Sequence, residues 1–222
     1  MNPTSHTEEN YLKAIFKLSE NSNDNVLTNA IAERLNTTAA SVTDMLKKLA
    51  QKKLINYEKY YGVKLTKEGN KIAKNLIRKH RLWETFLVEK LNFSWDEVHV
   101  LAEELEHINS DRLTDRIDEF LGYPKFDPHG DPIPDKSGNI AYHEDVTLDK
   151  MKKNDTGVVV GVIDHTPEFL KYLDKINLVI NSKIKVKDDE EYDESKVVLL
   201  NDKKEILVSK KVAGNLLIRR IR

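Results

Sequence analysis

The chain has 222 residues, 33% of them charged, a formal net charge of −1 and no cysteine. The length calls for two or three compact units, and the missing thiols exclude disulfides, thiolate metal sites and cysteine nucleophiles, so any metal ligand must be nitrogen or oxygen. No stretch approaches the roughly 20 apolar residues of a membrane span, and the N-terminal MNPTSHTEENYLKAIF lacks a basic region followed by an apolar run, so a soluble, cytoplasmic protein with no membrane partner is expected. The charge is segregated: residues 1 to 90 hold 16 Lys and Arg against 10 Asp and Glu, residues 91 to 150 hold 5 against 15, and the remainder 15 against 12. A basic end and an acidic middle are expected where one part meets a polyanion and the centre holds cations.

In chain order, residues 7 to 20 are predicted helical, with Thr7 as cap, Asn10 near the start and Tyr11, Leu12, Ile15, Phe16 and Leu18 on one face. Leu27 to Leu35 and Ala39 to Leu49 follow as two short helices around the tight junction Asn36, Thr37, Thr38, which is helix-turn-helix spacing. Ala30, Ile31, Leu35, Val42, Leu46 and Leu49 are assigned to their core, leaving Thr38, Ala39, Ala40, Ser41, Thr43, Asp44, Lys47 and Lys48 outward. After Leu54 the period changes, and LINYEKYYGVKLT places Gly62 between two short strands. A helix-turn-helix followed by a hairpin is a winged helix. The small and hydroxylated start of its second helix suits close approach to base edges, while Lys47, Lys48, Lys59 and Lys64 suit phosphates.

Residues 67 to 121 are expected to be helical: Glu68 to Leu91, Ser94 to Ile108 with Ser94 and Glu97 as a capping box, and Asp111 to Leu121. In RKHRLWETFL, His80 and Glu84 are one turn apart on one face. In HVLAEELEH, His99, Glu103, Glu106 and His107 fall at i, i+4, i+7 and i+8, again one stripe. Two such helices, otherwise filled by Leu82, Phe86, Leu87, Val100, Leu101, Ala102 and Leu105, would focus imidazoles and carboxylates into a shared interior, a set suited to Mn²⁺, Fe²⁺, Co²⁺, Ni²⁺ or Zn²⁺. The residues alone leave a metal site and a solvated helix surface as competing readings.

Tyr123 to Asn139 is rich in Pro, Gly and Asp and is expected to be a linker, with His129 a loop residue rather than a ligand. From Lys152 on, TGVVVGVID, INLVI, SKIKVKD, SKVVLLND and KEILVSKKV are assigned as strands with one helix, PEFLKYLDKI, between them, a small barrel. The acidic run DDEEYDE reads as an exposed loop.

The order of winged helix, RKHRLWE, HxxxEExEH with EHINSD, the linker tail GDPIP and a small barrel resembles the diphtheria toxin repressor family of metal-dependent transcriptional repressors over nearly the whole chain. The resemblance implies a mainly α fold with a small β part: a winged helix-turn-helix over residues 1–70, a helical metal-binding and dimerisation domain over 71–124, a linker over 125–150 and an SH3-like, FeoA-like barrel over 151–222. It also implies two ions per subunit. One would be held by His80, Glu84 and His99 with His165 and Glu168 from the segment IDHTPEF, and the other by Glu103, Glu106, His107 and a residue of the first helix, here Asn10. Glu103 stands where iron-responsive members carry a cysteine. Asn10 and Lys13 stand where manganese-responsive members usually carry an aspartate and, three residues on, a glutamate. Oxygen and imidazole ligands favour Mn²⁺, with Fe²⁺ next.

The implied function is that of a homodimeric repressor reading a palindromic operator in double-stranded DNA, with metal coupling the two halves of each subunit. Two other readings stand beside it. A two-metal hydrolase would need an open coordination position and a general base, and a metal-independent winged-helix regulator would bind DNA equally well in chelator.

Overall fold

A computed structural model describes residues 4–20, 25–141 and 145–221. The chain divides into two compact units: one is built from the N-terminal 80 residues with 105–110 and 134–139, the other from 81–104, 111–133 and 140–222.

The first unit begins with α1 (His6–Ser19), whose cap is Ser5 rather than Thr7. Ser5 Oγ accepts from the Glu8 amide at 3.3 Å while Glu8 Oε2 accepts from the Ser5 amide at 2.9 Å, a reciprocal capping box two residues earlier than expected. The helix-turn-helix is α2 (Thr28–Arg34) and α3 (Ala39–Gln51). Asn36, at φ 47°, turns the chain between them in the left-handed region that asparagine tolerates. Thr38 caps α3, its hydroxyl accepting from the Ser41 amide at 3.2 Å. Leu12, Ile15, Ile31, Val42, Leu46, Leu49, Val63 and Ile77 are buried, whereas Ala30 and Leu35, assigned to the core, are only half-buried and Ala32 is buried instead.

The wing pairs β1 (Ile55–Glu58) with β2 (Gly62–Leu65), and Val26 bridges to Val63 beside it. Gly62, at φ +97°, lies where a Cβ would be 2.6 Å from the Val26 carbonyl oxygen, so the expected turn glycine opens β2 at a close backbone approach.

α4 (Lys67–Leu91) runs as one helix. In the second unit, its Leu82 packs with Ile117 and Ile133, flanked by Trp83, Phe86 and Leu121. α5 spans only Val98–Leu105, not 94–108. Ser94 and Glu97 do hydrogen bond, hydroxyl to carboxylate at 2.6 Å, but residues 95–97 form a turn ahead of the helix. α6 is Asp111–Phe120.

The C-terminal region forms a six-stranded antiparallel sheet in the order β3 (Val146–Thr147), β8 (Leu216–Arg220), β4 (Thr156–Val162), β5 (Lys183–Asp189), β6 (Lys196–Leu200), β7 (Lys204–Val208). Register shifts at Val159/Gly161 and Val186/Asp188 are the kind of bulge that bends and twists a small sheet around its core. α7 (Pro167–Ile176) and the short α8 (Lys210–Ala213) complete it. INLVI is not a strand. α7 claims Ile176, Asn177 ends that helix at φ 60°, and Leu178 is buried in the sheet's core. The strand that replaces it, β8, lies in the apolar run after Asn215.

Candidate metal centre and nucleic-acid interface

In the first unit the α3 face presents Thr38, Ala39, Ala40, Ser41, Asp44, Lys47 and Lys48 as exposed residues, and the hairpin adds Lys59 and Lys64. Several of the nominated side chains are engaged within the unit, Thr38 and Ser41 with each other at 3.0 Å among them. Thr43 is half-buried and its hydroxyl donates to the Ala39 carbonyl at 2.8 Å, Lys47 pairs with Asp44 at 3.1 Å, and Lys48 reaches the buried Glu8 at 3.3 Å. Lys52 also meets Glu8, at 2.8 Å, so α1 is tied by charge to the end of α3. The tip of the wing carries Tyr60 and Tyr61, 85% and 71% exposed, with the Lys59 ammonium 4.9 Å over the Tyr60 ring. Aromatic rings beside lysines at such a tip are suited to nucleic-acid contact.

The histidine and glutamate stripe is divided. Because α5 stops at Leu105, Glu106 and His107 lie in the following turn, packed in the first unit, while His99 and Glu103 stay on α5 in the second. His99 Nδ1 is 3.2 Å from Glu84 Oε1, and its Nε2 is 3.6 Å from Glu103. His80 stands one turn before Glu84 on α4. Val100, assigned to the apolar face, is exposed.

The most enclosed cluster in the second unit joins Glu84 to Asp127 and His129. All three are buried, and each offers a ligand atom within 4.8 Å of the others. His129 was expected to be a loop residue. It does lie in a loop, yet it is only 1% exposed. Asp127 Oδ1 organises that loop by accepting from the amides of His129 at 2.8 Å and Asp131 at 2.9 Å, an Asx-type turn. The His129 carbonyl accepts from the Val162 amide at 2.9 Å, His129 Nε2 meets the Trp95 carbonyl at 2.7 Å, and its ring stacks on that of His165 at 5.0 Å. Nδ1 is left without a hydrogen-bond partner, 3.7 Å from Glu84 Oε2. The DPHG run, an Asx turn followed by glycine, was the available sequence signal.

The electrostatics of this cluster are those of too many carboxylates for the cations present. Burial, then the neighbouring Asp131 and Glu84, push Asp127 up to about 7 against the pull of Arg81 and His129. Arg81 is shared, 2.8 Å from Asp131 and 3.6 Å from Asp127. Burial works against a charged His129, but the Glu84 carboxylate 3.7 Å away, the charge of Asp127 and the Trp95 carbonyl raise it to about 9. Burial lowers His165, which keeps a neutral imidazole beside the cluster. A buried group of this kind needs either a proton or a divalent cation. The orphaned Nδ1, the paired carboxylates and the absence of thiol fit a hard to borderline ion. His165 adjoins the cluster, its Nε2 3.2 Å from the Val162 carbonyl, while Glu168 is exposed in the first turn of α7.

The other nominated set is in a different condition. Glu106, 1% exposed, accepts from the Lys13 ammonium at both oxygens, 2.8 and 2.7 Å, and Oε2 is also 2.6 Å from His80 Nδ1. His107 Nδ1 is 2.7 Å from Glu9 Oε2, and its ring stacks on His6. Asn10 is exposed, and Glu103 is 54% exposed. A carboxylate already satisfied by an ammonium does not fit a divalent ion as it stands.

A winged helix with a buried His and carboxylate centre in the following unit defines a class of metal-responsive DNA-binding proteins, and the comparisons agree. Residues 3–63 match the model of the iron dependent repressor N-terminal DNA binding domain, 66–135 that of the iron dependent repressor metal binding and dimerisation domain, and 146–220 the FeoA domain. The chain belongs to the iron-dependent repressor family, which includes the diphtheria toxin repressor. It is 34% identical over 134 residues to the iron-dependent repressor IdeR of Mycobacterium tuberculosis, covering 60% of this chain and 58% of that one. It is 37% identical over 119 residues to the HTH-type transcriptional regulator MntR of Oceanobacillus iheyensis, covering 54% and 80%. A manganese-dependent transcriptional repressor solved in complex with manganese superposes with a TM-score of 0.88 at 36% identity, covering 96% of this chain and all of that one. The chain thus spans less than two thirds of the mycobacterial relatives it matches.

Proposed function

We propose that this protein is a DNA-binding transcriptional repressor that responds to a divalent transition ion, Mn²⁺ first and Fe²⁺ next, and controls genes of metal-ion homeostasis from the cytoplasm without catalysing a reaction. Residues 1–70 bind DNA, 71–124 and the linker over 125–150 carry the metal centre and dimer contacts, and the sheet over 151–222 braces that centre. A homodimer would present two α3 helices to a palindromic operator. The observation that carries the reading is the buried carboxylate excess around Glu84, Asp127 and the orphaned His129 Nδ1. In this reading Glu84 is the central ligand, with Asp127 and His129 on one side, His99 on the other, His80 a turn away and His165 at the margin; Glu168 is the nominated ligand with the least support.

An ion bound here supplies positive charge that the cluster lacks. The chain's own residues do the rest: Asp127 shapes the loop, Arg81 holds Asp131, and Val162 fixes His129 to the sheet. Metal can raise DNA affinity only by binding the DNA-competent arrangement more tightly, a coupling of about 1 to 3 kcal/mol. The test is operator binding by the full chain in chelator, then with Mn²⁺, with Fe²⁺ under anaerobic conditions, and with Zn²⁺. Metal should strengthen binding, most with Mn²⁺, and His129→Ala should abolish the response. Equal binding in chelator would make the protein a metal-independent regulator.

A further inference from the structure

The two nominated metal positions differ in one respect that bears on how the protein is controlled. Around Glu84 three carboxylates, with Asp127 and Asp131, face the cations Arg81 and His129, and His129 Nδ1 has no hydrogen-bond partner. Around Glu106 the charge is already matched. Lys13 Nζ lies 2.8 and 2.7 Å from its two oxygens and 3.4 Å from His80 Nδ1.

We propose that Lys13 is a built-in cation that stands in place of the second metal ion, bridging α1 to Glu106 permanently, so that metal control of this chain runs through the Glu84, Asp127 and His129 position alone.

Three observations support this. A divalent ion at Glu106 would have to bind oxygens that an ammonium already contacts, and two cations at that separation in a site 1% exposed repel strongly. The neighbouring groups are committed as well: His107 to Glu9 at 2.7 Å and to the His6 ring, while Asn10 is turned to solvent and brings no charge. The bridge is also made entirely within one compact unit, so α1 is held against residues 105–110 by a covalently tethered charge that chelators cannot remove. An ammonium donates three hydrogens and has no lone pair, so it can replace the ion's electrostatic role between α1 and Glu106 but not its exchange with the medium. The consequence is a DNA-binding unit assembled before metal arrives.

This inference rests on the metal-dependent reading above, and the experiment separates the two. The full chain is stripped with chelator and titrated with Mn²⁺ to obtain stoichiometry and affinity per subunit, alongside Glu106→Gln, His129→Ala, Lys13→Glu and the double variant Lys13→Glu with Glu106→Gln. The expected results are one ion in the unaltered protein, retained with the same affinity in Glu106→Gln and lost in His129→Ala, and two ions in Lys13→Glu, falling back to one in the double variant. Two ions in the unaltered protein, one of them lost in Glu106→Gln, would overturn the role given to Lys13 and leave the repressor reading standing. A folded Lys13→Glu that gains no ion would overturn it equally. No ion in the unaltered protein but one in Lys13→Glu would support the role of Lys13 and remove the Glu84 centre. If thermal unfolding shows that Lys13→Glu does not fold, the comparison of the unaltered protein with Glu106→Gln decides alone.

Discussion

Glu8 joins the start of α1 to the end of α3 with one carboxylate, and removing it should cost more than an ordinary surface change. Its side chain is 1% exposed, it accepts from the Ser5 amide at 2.9 Å, and it meets Lys52 at 2.8 Å and Lys48 at 3.3 Å. Loss of a capping interaction costs about 1 kcal/mol. A hydrogen bond to a charged group contributes about 1.5 to 3 kcal/mol, taken at the lower end because both lysines can turn to water once released. Glu8→Ala should therefore lower stability by about 2 to 3 kcal/mol, and Glu8→Gln, which keeps volume and an acceptor, by about half of that. Urea unfolding at neutral pH, followed by helical circular dichroism, reads this as a lowered midpoint. The pH dependence has a definite sign. Burial opposes the charge on Glu8, but the bonds from Lys52, Ser5 and Lys48 hold its carboxyl below the ordinary glutamate value of 4.5. Its ionic contribution is thus fully present above that value and is lost as pH falls through the lower folded value, where the unaltered protein and Glu8→Gln should converge. A loss under about 0.5 kcal/mol in Glu8→Ala, the range of ordinary surface changes, would refute the reasoning.

Three further substitutions test other parts of the chain. Gly130 sits at φ +88° where a Cβ would run into the Val160 carbonyl oxygen and Gly161, so Gly130→Ala should destabilise the second unit by about 1 to 3 kcal/mol and weaken Mn²⁺ binding through the adjacent His129; a titration with unaltered affinity would count against the loop as part of the centre. On α3, Ser41→Glu should block operator binding without lowering the melting temperature, because the Ser41 amide that Thr38 caps at 3.2 Å is kept and only an exposed hydroxyl contact to Thr38, at 3.0 Å, is lost, whereas Lys64→Ala should weaken binding to all sequences and reduce the salt slope by about 1; a fall in melting temperature for Ser41→Glu would assign that residue to the fold instead.

Local order was readable from the chain itself. Apolar residues at helical spacing located α1, α2, α3, α4 and α6 to within a few residues, and the change of period after Leu54 located the wing, because these patterns depend on neighbours three or four positions away. Imidazole and carboxylate without thiol likewise followed from residue type. Which of those groups would meet was not readable. A helix ending at Leu105 instead of Ile108 turned one stripe into two separate sets; that boundary depends on packing and not on period. Lys13, noted as a departure in α1, acquired its meaning from Glu106, 93 residues away. His129 became a candidate ligand because the Asp127 turn, the Val162 amide and the Trp95 carbonyl bury it against Glu84. The sequence by itself determined most of the helices, the wing and the kinds of ligand available. The tertiary structure decided which charges are satisfied and which are left over, because the energy of a buried charge is set by partners distant in the chain.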